Sequence, residues 1–212
     1  MPKDINPRIE QLNDPEKYRL IKTLRHDEVV HFVVEQLKRF RLPMLFFYGF
    51  TSALLMLIVA FSIYNYYNPV ISMWSWFLYL LSGIFSGMIL VIPFHEGMHG
   101  LAYRIAGAKK VKYGMDLKQM LFYASAPGFV AGSKDFMLVA LFPFTIINIF
   151  FTAGIVFGEP PLQWGSLVAL FIHSTLCIGD FAMINYLVSF PGRKLYTYDD
   201  ELKKTSYFYI RC

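Results

Sequence analysis

Four long apolar runs dominate the chain: Leu42–Tyr67, Trp74–Tyr103, Phe136–Phe157 and Leu162–Phe190. About 20 apolar residues in helical form cross a hydrocarbon core, so each run predicts a transmembrane helix. The second and fourth exceed that minimum and are expected to tilt or to extend beyond the bilayer. Between the runs the pattern changes. Residues 1–41 are polar and charged, with no early apolar region of the kind a cleavable signal peptide needs. Within them "DEVVHFVVEQLKRF" (Asp27–Phe40) sets Val29, Val33, Leu37 and Phe40 at helical spacing, with Glu28, Glu35, Lys38 and Arg39 elsewhere. That pattern predicts an amphipathic helix resting on the inner leaflet. His31 shares its polar face and reads as a surface histidine. After the second run, "KVKYGMDLK" alternates strictly, Val111, Tyr113, Met115 and Leu117 on one side and Lys112, Gly114, Asp116 and Lys118 on the other. A period of two marks a strand, here Lys110 to Lys118, and "LFYASAPGFVAGS" continues it as a second strand or an irregular return.

The expected fold is therefore an all-α membrane protein. Four transmembrane helices carry a cytoplasmic β-strand or hairpin between the second and third, and an amphipathic helix precedes them. Three segments follow: 1–41 as a cytoplasmic N-terminal segment, 42–190 as the four-helix core, and 191–212 as a cytoplasmic tail.

Composition agrees: 56% of residues are hydrophobic and 17% charged, against roughly 25% charged in soluble domains. All twenty Lys and Arg fall in three places: nine from Lys3 to Arg41, six from Arg104 to Lys134 and five from Arg193 to Arg211. The connections Asn65–Met73 and Gly158–Gln163 hold none. The positive-inside rule then predicts a multi-pass protein with both termini in the cytoplasm. The basic pI near 9.1 needs no nucleic-acid partner, because such residues set topology and attract anionic headgroups of the bilayer. Cys177 and Cys212 make no disulfide framework, and Cys177 reads as a small packing residue.

One stretch breaks the apolar pattern. "IPFHEGMHGLAYRIAG" places His95, Glu96 and His99 near the end of the second run. His95 and His99 are one helical turn apart and project from one face. H-E-x-x-H on a helix is the zincin arrangement, in which the histidines bind zinc and the glutamate handles the proton of a bound water. Such groups are costly inside a bilayer and by default functional. A catalytic zinc takes three protein ligands and keeps one open position. Two candidates for the third lie in the last run. Asp180, in "CIGDFAMINY", matches His95 in depth, by helical rise from the nearest basic residues, and completes two histidines and a carboxylate. His173 is the alternative, two turns earlier and about 10 Å further out on a straight helix. It serves otherwise as an outer partner of the site. Gly179 would permit close approach between helices. Asn148, in "FTIINIF", is expected at mid-membrane depth, where it either meets a substrate carbonyl or oxyanion or bridges helices.

"FHEGMHGLAYRIAG", the basic strand after it, "LFPF" opening the third run and "GD" in the last resemble the zincin peptidases, small membrane proteins akin to site-2 proteases. The similarity runs from about Gly83 to Phe190. The resemblance implies His95, His99 and Asp180 as ligands of Zn2+, Glu96 as the base, and a strand, here Lys110–Lys118, that pairs with an unwound substrate. The chain departs from site-2 proteases in carrying Gly179-Asp180-Phe181 where they carry Asp-Gly, and no proline follows Asn148.

The expected activity is that of an intramembrane zinc metallopeptidase cutting a membrane-embedded or membrane-adjacent protein near the cytoplasmic face. Two other classes share the residues: a non-proteolytic membrane metal-binding adaptor or sensor, in which Glu96 is dispensable, and a proton or ion relay that keeps no metal. Oligomeric state and substrate identity are not encoded in any pattern here.

Overall fold

Residues 6–116 and 121–212 are described by the computed structural model. Their strands are β1 (Tyr18–Arg25), β2 (Lys112–Asp116), β3 (Leu121–Ser125), β4 (Ala131–Gly132), β5 (Leu195–Asp200) and β6 (Thr205–Arg211). Their α-helices are α1 (Val29–Leu37), α2 (Leu42–Tyr67), α3 (Met73–Phe85), α4 (Val91–Ala106), α5 (Ser133–Phe157), α6 (Pro160–Leu176) and α7 (Ile178–Leu187). The protein is mostly helical, but it is not all-α. The chain divides into two compact units, one of Met1–Arg39, Glu96–Phe142 and Ala182–Cys212, the other of Phe40–His95 and Pro143–Phe181.

The first unit holds the difference from expectation. The two polar ends of the chain build one antiparallel sheet in the order β1-β6-β5-β4. The residues explain it: "LYTYDD" and "TSYFYIR" are rich in aromatic and β-branched side chains that suit a pleated surface. Their alternation sorts them onto two faces. Tyr196, Tyr207 and Tyr209 pack with Tyr18 and Leu12 on one. Leu195, Phe208 and Ile210 pack with Leu24 on the other, together with Val29, Phe32 and Val33 of α1. Val29 and Val33, half of the stripe expected on the leaflet, thus cover the sheet together with Phe32, 2% exposed. This removes more apolar area from water than a helix alone could hide. Phe40 of the same stripe is exposed. Asn185 ties α7 to the end of α1 by donating to Arg39 O at 3.0 Å.

β2 and β3 form a two-stranded hairpin, from Lys112↔Ser125 to Asp116↔Leu121. The expected strand Lys110–Lys118 is shorter at its start: Lys110 and Val111 precede the ladder, and Leu117 and Lys118 lie outside the described residues. Tyr113 rests on α4. A side-chain carbon added to Gly100 would press on its hydroxyl, so the ring as placed rests on bare backbone there.

The second unit is built on Trp164, 1% exposed. Its ring stacks on Trp76 and Phe61, with centroids 5.1 and 5.4 Å away, and its Nε1 donates to Trp76 O at 3.0 Å. Asn65 closes the α2–α3 turn, accepting from Ile71 N and donating to Ile71 O. α3 lies very close to α6, since a carbon added at Gly83 would sit 2.6 Å from Gly165 O and one at Gly87 2.8 Å from Ala169 O. These glycines form G-x-x-x-G, the spacing that lets helix backbones meet. A carbon at Gly179 would meet nothing within 4 Å, so the close approach expected there occurs at Gly83 and Gly87.

Among the described residues three helices are long and apolar enough to cross a membrane: α2, the 34-residue stretch Met73–Ala106, and α5. The last apolar run is not one straight helix. α6 and α7 meet at Cys177 with a bend of 44° and make a fourth span only if counted together. The second run also departs from a plain helix, passing through a π-helical turn at Ser86–Leu90 before α4. On α2 the outward side chains include Leu42, Leu45, Met56 and Leu57. Such a continuous exposed apolar surface suits lipid, not water.

Candidate metal centre

α4 carries His95, Glu96 and His99 on an unbroken stretch of helix that ends at Gly107, whose φ of 112° lies in the region glycine tolerates. One turn separates the two histidines, so they share a helix face. His99 Nδ1 lies 2.9 Å from Val139 O. A carbonyl only accepts, so Nδ1 carries the proton and Nε2 carries the lone pair of a neutral ring.

His95 has a neighbour on each nitrogen. Nε2 lies 3.2 Å from Asp180 Oδ2, and Nδ1 lies 3.3 Å from His173 Nε2. His173 Nδ1 in turn faces Asn148 Oδ1 at 2.8 Å, and Ser174 Oγ donates to the same oxygen at 3.4 Å. With Asn148 Oδ1 as the acceptor, His173 donates from Nδ1 and can accept at Nε2 from His95 Nδ1–H. His95 Nε2 then turns its lone pair toward the carboxylate, an arrangement that a cation between them makes favourable. Asn148 and His173 thereby hold His95 in the tautomer that a metal requires, as partners on the far ring nitrogen do in metal sites.

His173 and Asp180 both reach His95 because residues seven apart lie on one helix face, about 10 Å apart along the axis. The imidazole, with a contact on each ring nitrogen, spans most of that gap. Asn148, 8% exposed, joins α5 to α6 through His173, and its buried Nδ2 has no hydrogen-bond partner among the described residues. The side chains of His95 and Asp180 remain 15% and 17% exposed, so the pair is shielded without being sealed.

The donor chemistry fits zinc. Bonds of about 2.0–2.2 Å from nitrogen and oxygen at tetrahedral angles put neighbouring donors roughly 3.3 Å apart, and His95 Nε2 and Asp180 Oδ2 stand at 3.2 Å. A helix histidine, a carboxylate from another helix and an adjacent glutamate are the ingredients of metal-assisted hydrolysis.

Cys177, read from sequence as a packing residue, is fully buried but not among apolar neighbours alone. Its Sγ lies 3.5 Å from His173 Nε2 and 4.0 Å from His95 Nδ1. The signal was available: Cys177 follows His173 by four residues, the spacing of one helical turn.

No curated protein matches the chain, and no solved structure does. Residues 88–195, just over half of the 212, match the family described as "Putative zincin peptidase", and this stretch includes His95, Glu96, His99, Asn148, His173 and Asp180. The chain belongs to that family of zincin peptidases.

Proposed function

We propose that the protein is an intramembrane zinc metallopeptidase of the site-2 protease kind. In this reading His95, His99 and Asp180 hold the zinc, both termini lie in the cytoplasm, and the substrate is a membrane-embedded or membrane-adjacent polypeptide. The observation that carries the reading is the 3.2 Å approach of His95 Nε2 to Asp180 Oδ2 in otherwise apolar helices. Two polar groups from separate segments are costly there unless something repays them.

When bound, zinc polarises the scissile carbonyl and makes water at the site more acidic. Glu96, next to His95 on α4, accepts the proton of the attacking water and delivers it to the leaving nitrogen. Val139 O keeps the His99 proton on Nδ1, so Nε2 would be the atom that holds the zinc, and His173 does the same for His95. A helical peptide bond is shielded by its own hydrogen bonds, so the substrate unwinds and adds as a strand to the hairpin edge at Lys112–Asp116. That pairing satisfies the backbone groups freed by unwinding.

The test uses protein purified in detergent, a transmembrane peptide labelled at both ends, and a measurement of zinc per chain. Glu96→Gln is expected to keep its zinc and to lose about 10²–10⁴-fold in hydrolysis, the usual worth of a positioned base. His99→Ala is expected to lose hydrolysis. Hydrolysis at the wild-type rate in both variants would overturn the reading. Full zinc without hydrolysis in the wild type would favour the metal-binding adaptor, and absence of zinc the relay.

A further inference from the structure

We infer that the chain contains a second, thiolate-bearing metal site, made of His95 Nδ1, His173 Nε2 and Cys177 Sγ, which takes a thiophilic divalent cation. Its donor atoms form a triangle with sides of 3.3, 3.5 and 4.0 Å. A tetrahedral ion with metal–nitrogen bonds near 2.05 Å and a metal–sulfur bond near 2.3 Å needs nitrogens about 3.35 Å apart and sulfur about 3.55 Å from each. Two sides already match and the third differs by less than half an ångström, within reach of a small side-chain rotation. His173 and Cys177 are 1% and 0% exposed, so the cation would sit in a dry pocket, where the alternative is crowded. Without a metal the single lone pair on His173 Nε2 faces two donors, His95 Nδ1–H and the Cys177 thiol. Soft sulfur with two imidazoles selects zinc, cadmium or cobalt over magnesium and calcium.

The two sites share one imidazole, and a neutral imidazole has one lone pair. With the proton on Nδ1, His95 offers Nε2 to the catalytic set. With the proton on Nε2, donated to Asp180 Oδ2 at 3.2 Å, it offers Nδ1 to the thiolate set, and the carboxylate then orients it from outside, as in carboxylate–histidine–metal arrangements. On binding, the thiol proton leaves to solvent as the sulfur–metal bond forms, and the cation keeps its charge. Occupation of the thiolate site therefore removes His95 from the catalytic set. The existence of the thiolate site does not depend on the peptidase reading; this competition does.

Cobalt(II) and cadmium(II) titrations of the full chain in detergent test both parts. The double variant His99→Ala/Asp180→Asn loses the His99 imidazole and the Asp180 carboxylate, keeps the thiolate set, and leaves an amide oxygen to accept from His95 Nε2–H. It is expected to bind one cobalt per chain with thiolate-to-metal charge-transfer absorption in the near ultraviolet. Cys177→Ser, close in size, should show no such band and should bind cadmium more weakly by more than about tenfold, since loss even of an outer partner weakens metal sites 10–100-fold. In the zinc-loaded wild type, each cadmium taken up should release one zinc. Absence of the band in the double variant, or its persistence in Cys177→Ser, overturns the site. Uptake of cadmium with full retention of zinc overturns the competition. Undiminished hydrolysis by the double variant would instead defeat the peptidase reading and leave the spectroscopic result standing on its own.

Discussion

α4 and the α6–α7 junction both present polar donors from an apolar setting, and they do so by opposite devices. α4 uses regularity: His95 and His99 share a face because four residues nearly complete one turn. The junction uses reach. His173 and Asp180 are seven residues apart with a 44° bend between them, and the imidazole of His95, touched on each ring nitrogen, spans the gap. Spacing within one helix is readable from the sequence alone. Which ring of another helix comes to lie between two such residues is not.

If both devices serve one metal, removing a donor from either should cost alike. Asp180→Ala and His99→Ala, each made in a Cys177→Ser background that disables the thiolate set, are expected to weaken zinc binding by more than about 100-fold, beyond the 10–100-fold of an outer partner. Zinc retained per chain after dialysis against a graded chelator measures it. Loss in His99→Ala with full retention in Asp180→Ala would separate the two stretches and remove the junction from the site.

The next effect distinguishes holding a metal from holding a ligand. His173→Ala removes the acceptor that keeps the proton on His95 Nδ1, with an expected loss of about 10–100-fold in zinc affinity. Asn148→Leu acts one bond further out, through the 2.8 Å contact to His173 Nδ1. Its cost should fall at the low end, about tenfold. The same chelator series reads both. A larger loss from Asn148→Leu than from His173→Ala would break the proposed order of protons.

The same contrast explains what was legible. The first apolar run matches α2 residue for residue, because twenty-odd apolar residues between a basic flank and Asn68-Pro69 leave little freedom. The H-E-x-x-H residues were recognisable because helix periodicity fixes their relative direction. The sheet was not. β1 and β6 lie at opposite ends of the chain, and neither buries a face until the other arrives, so "YRLIKTLR" passes for a charged surface segment. His173 was expected either as the third ligand or as an outer partner. Its contact with His95 depends on another helix 78 residues away in the chain, which spacing along one run does not place. Part of the hairpin was visible from alternation, because its partner strand is only a few residues away.

The smallest effect concerns how α3 is held against α6, the approach that precedes α4 in the chain. Gly179 was expected to permit tight helix packing, and Gly83 is in that position instead. A methyl group at Gly83 would press on Gly165 O at 2.6 Å and on Val168 Cβ at 2.8 Å. Backbone cannot rotate aside, so α3 must shift, and overpacking of this kind costs about 1–3 kcal/mol. At Gly179 the same methyl meets nothing within 4 Å, and alanine is the better helix former by up to about 1 kcal/mol. Thermal unfolding in detergent should therefore place Gly83→Ala below the wild type and Gly179→Ala level with it or slightly above. The reverse order would mean that the junction, and not α3, is where the helices press together, and the straight-helix picture of the last run would have to be restored.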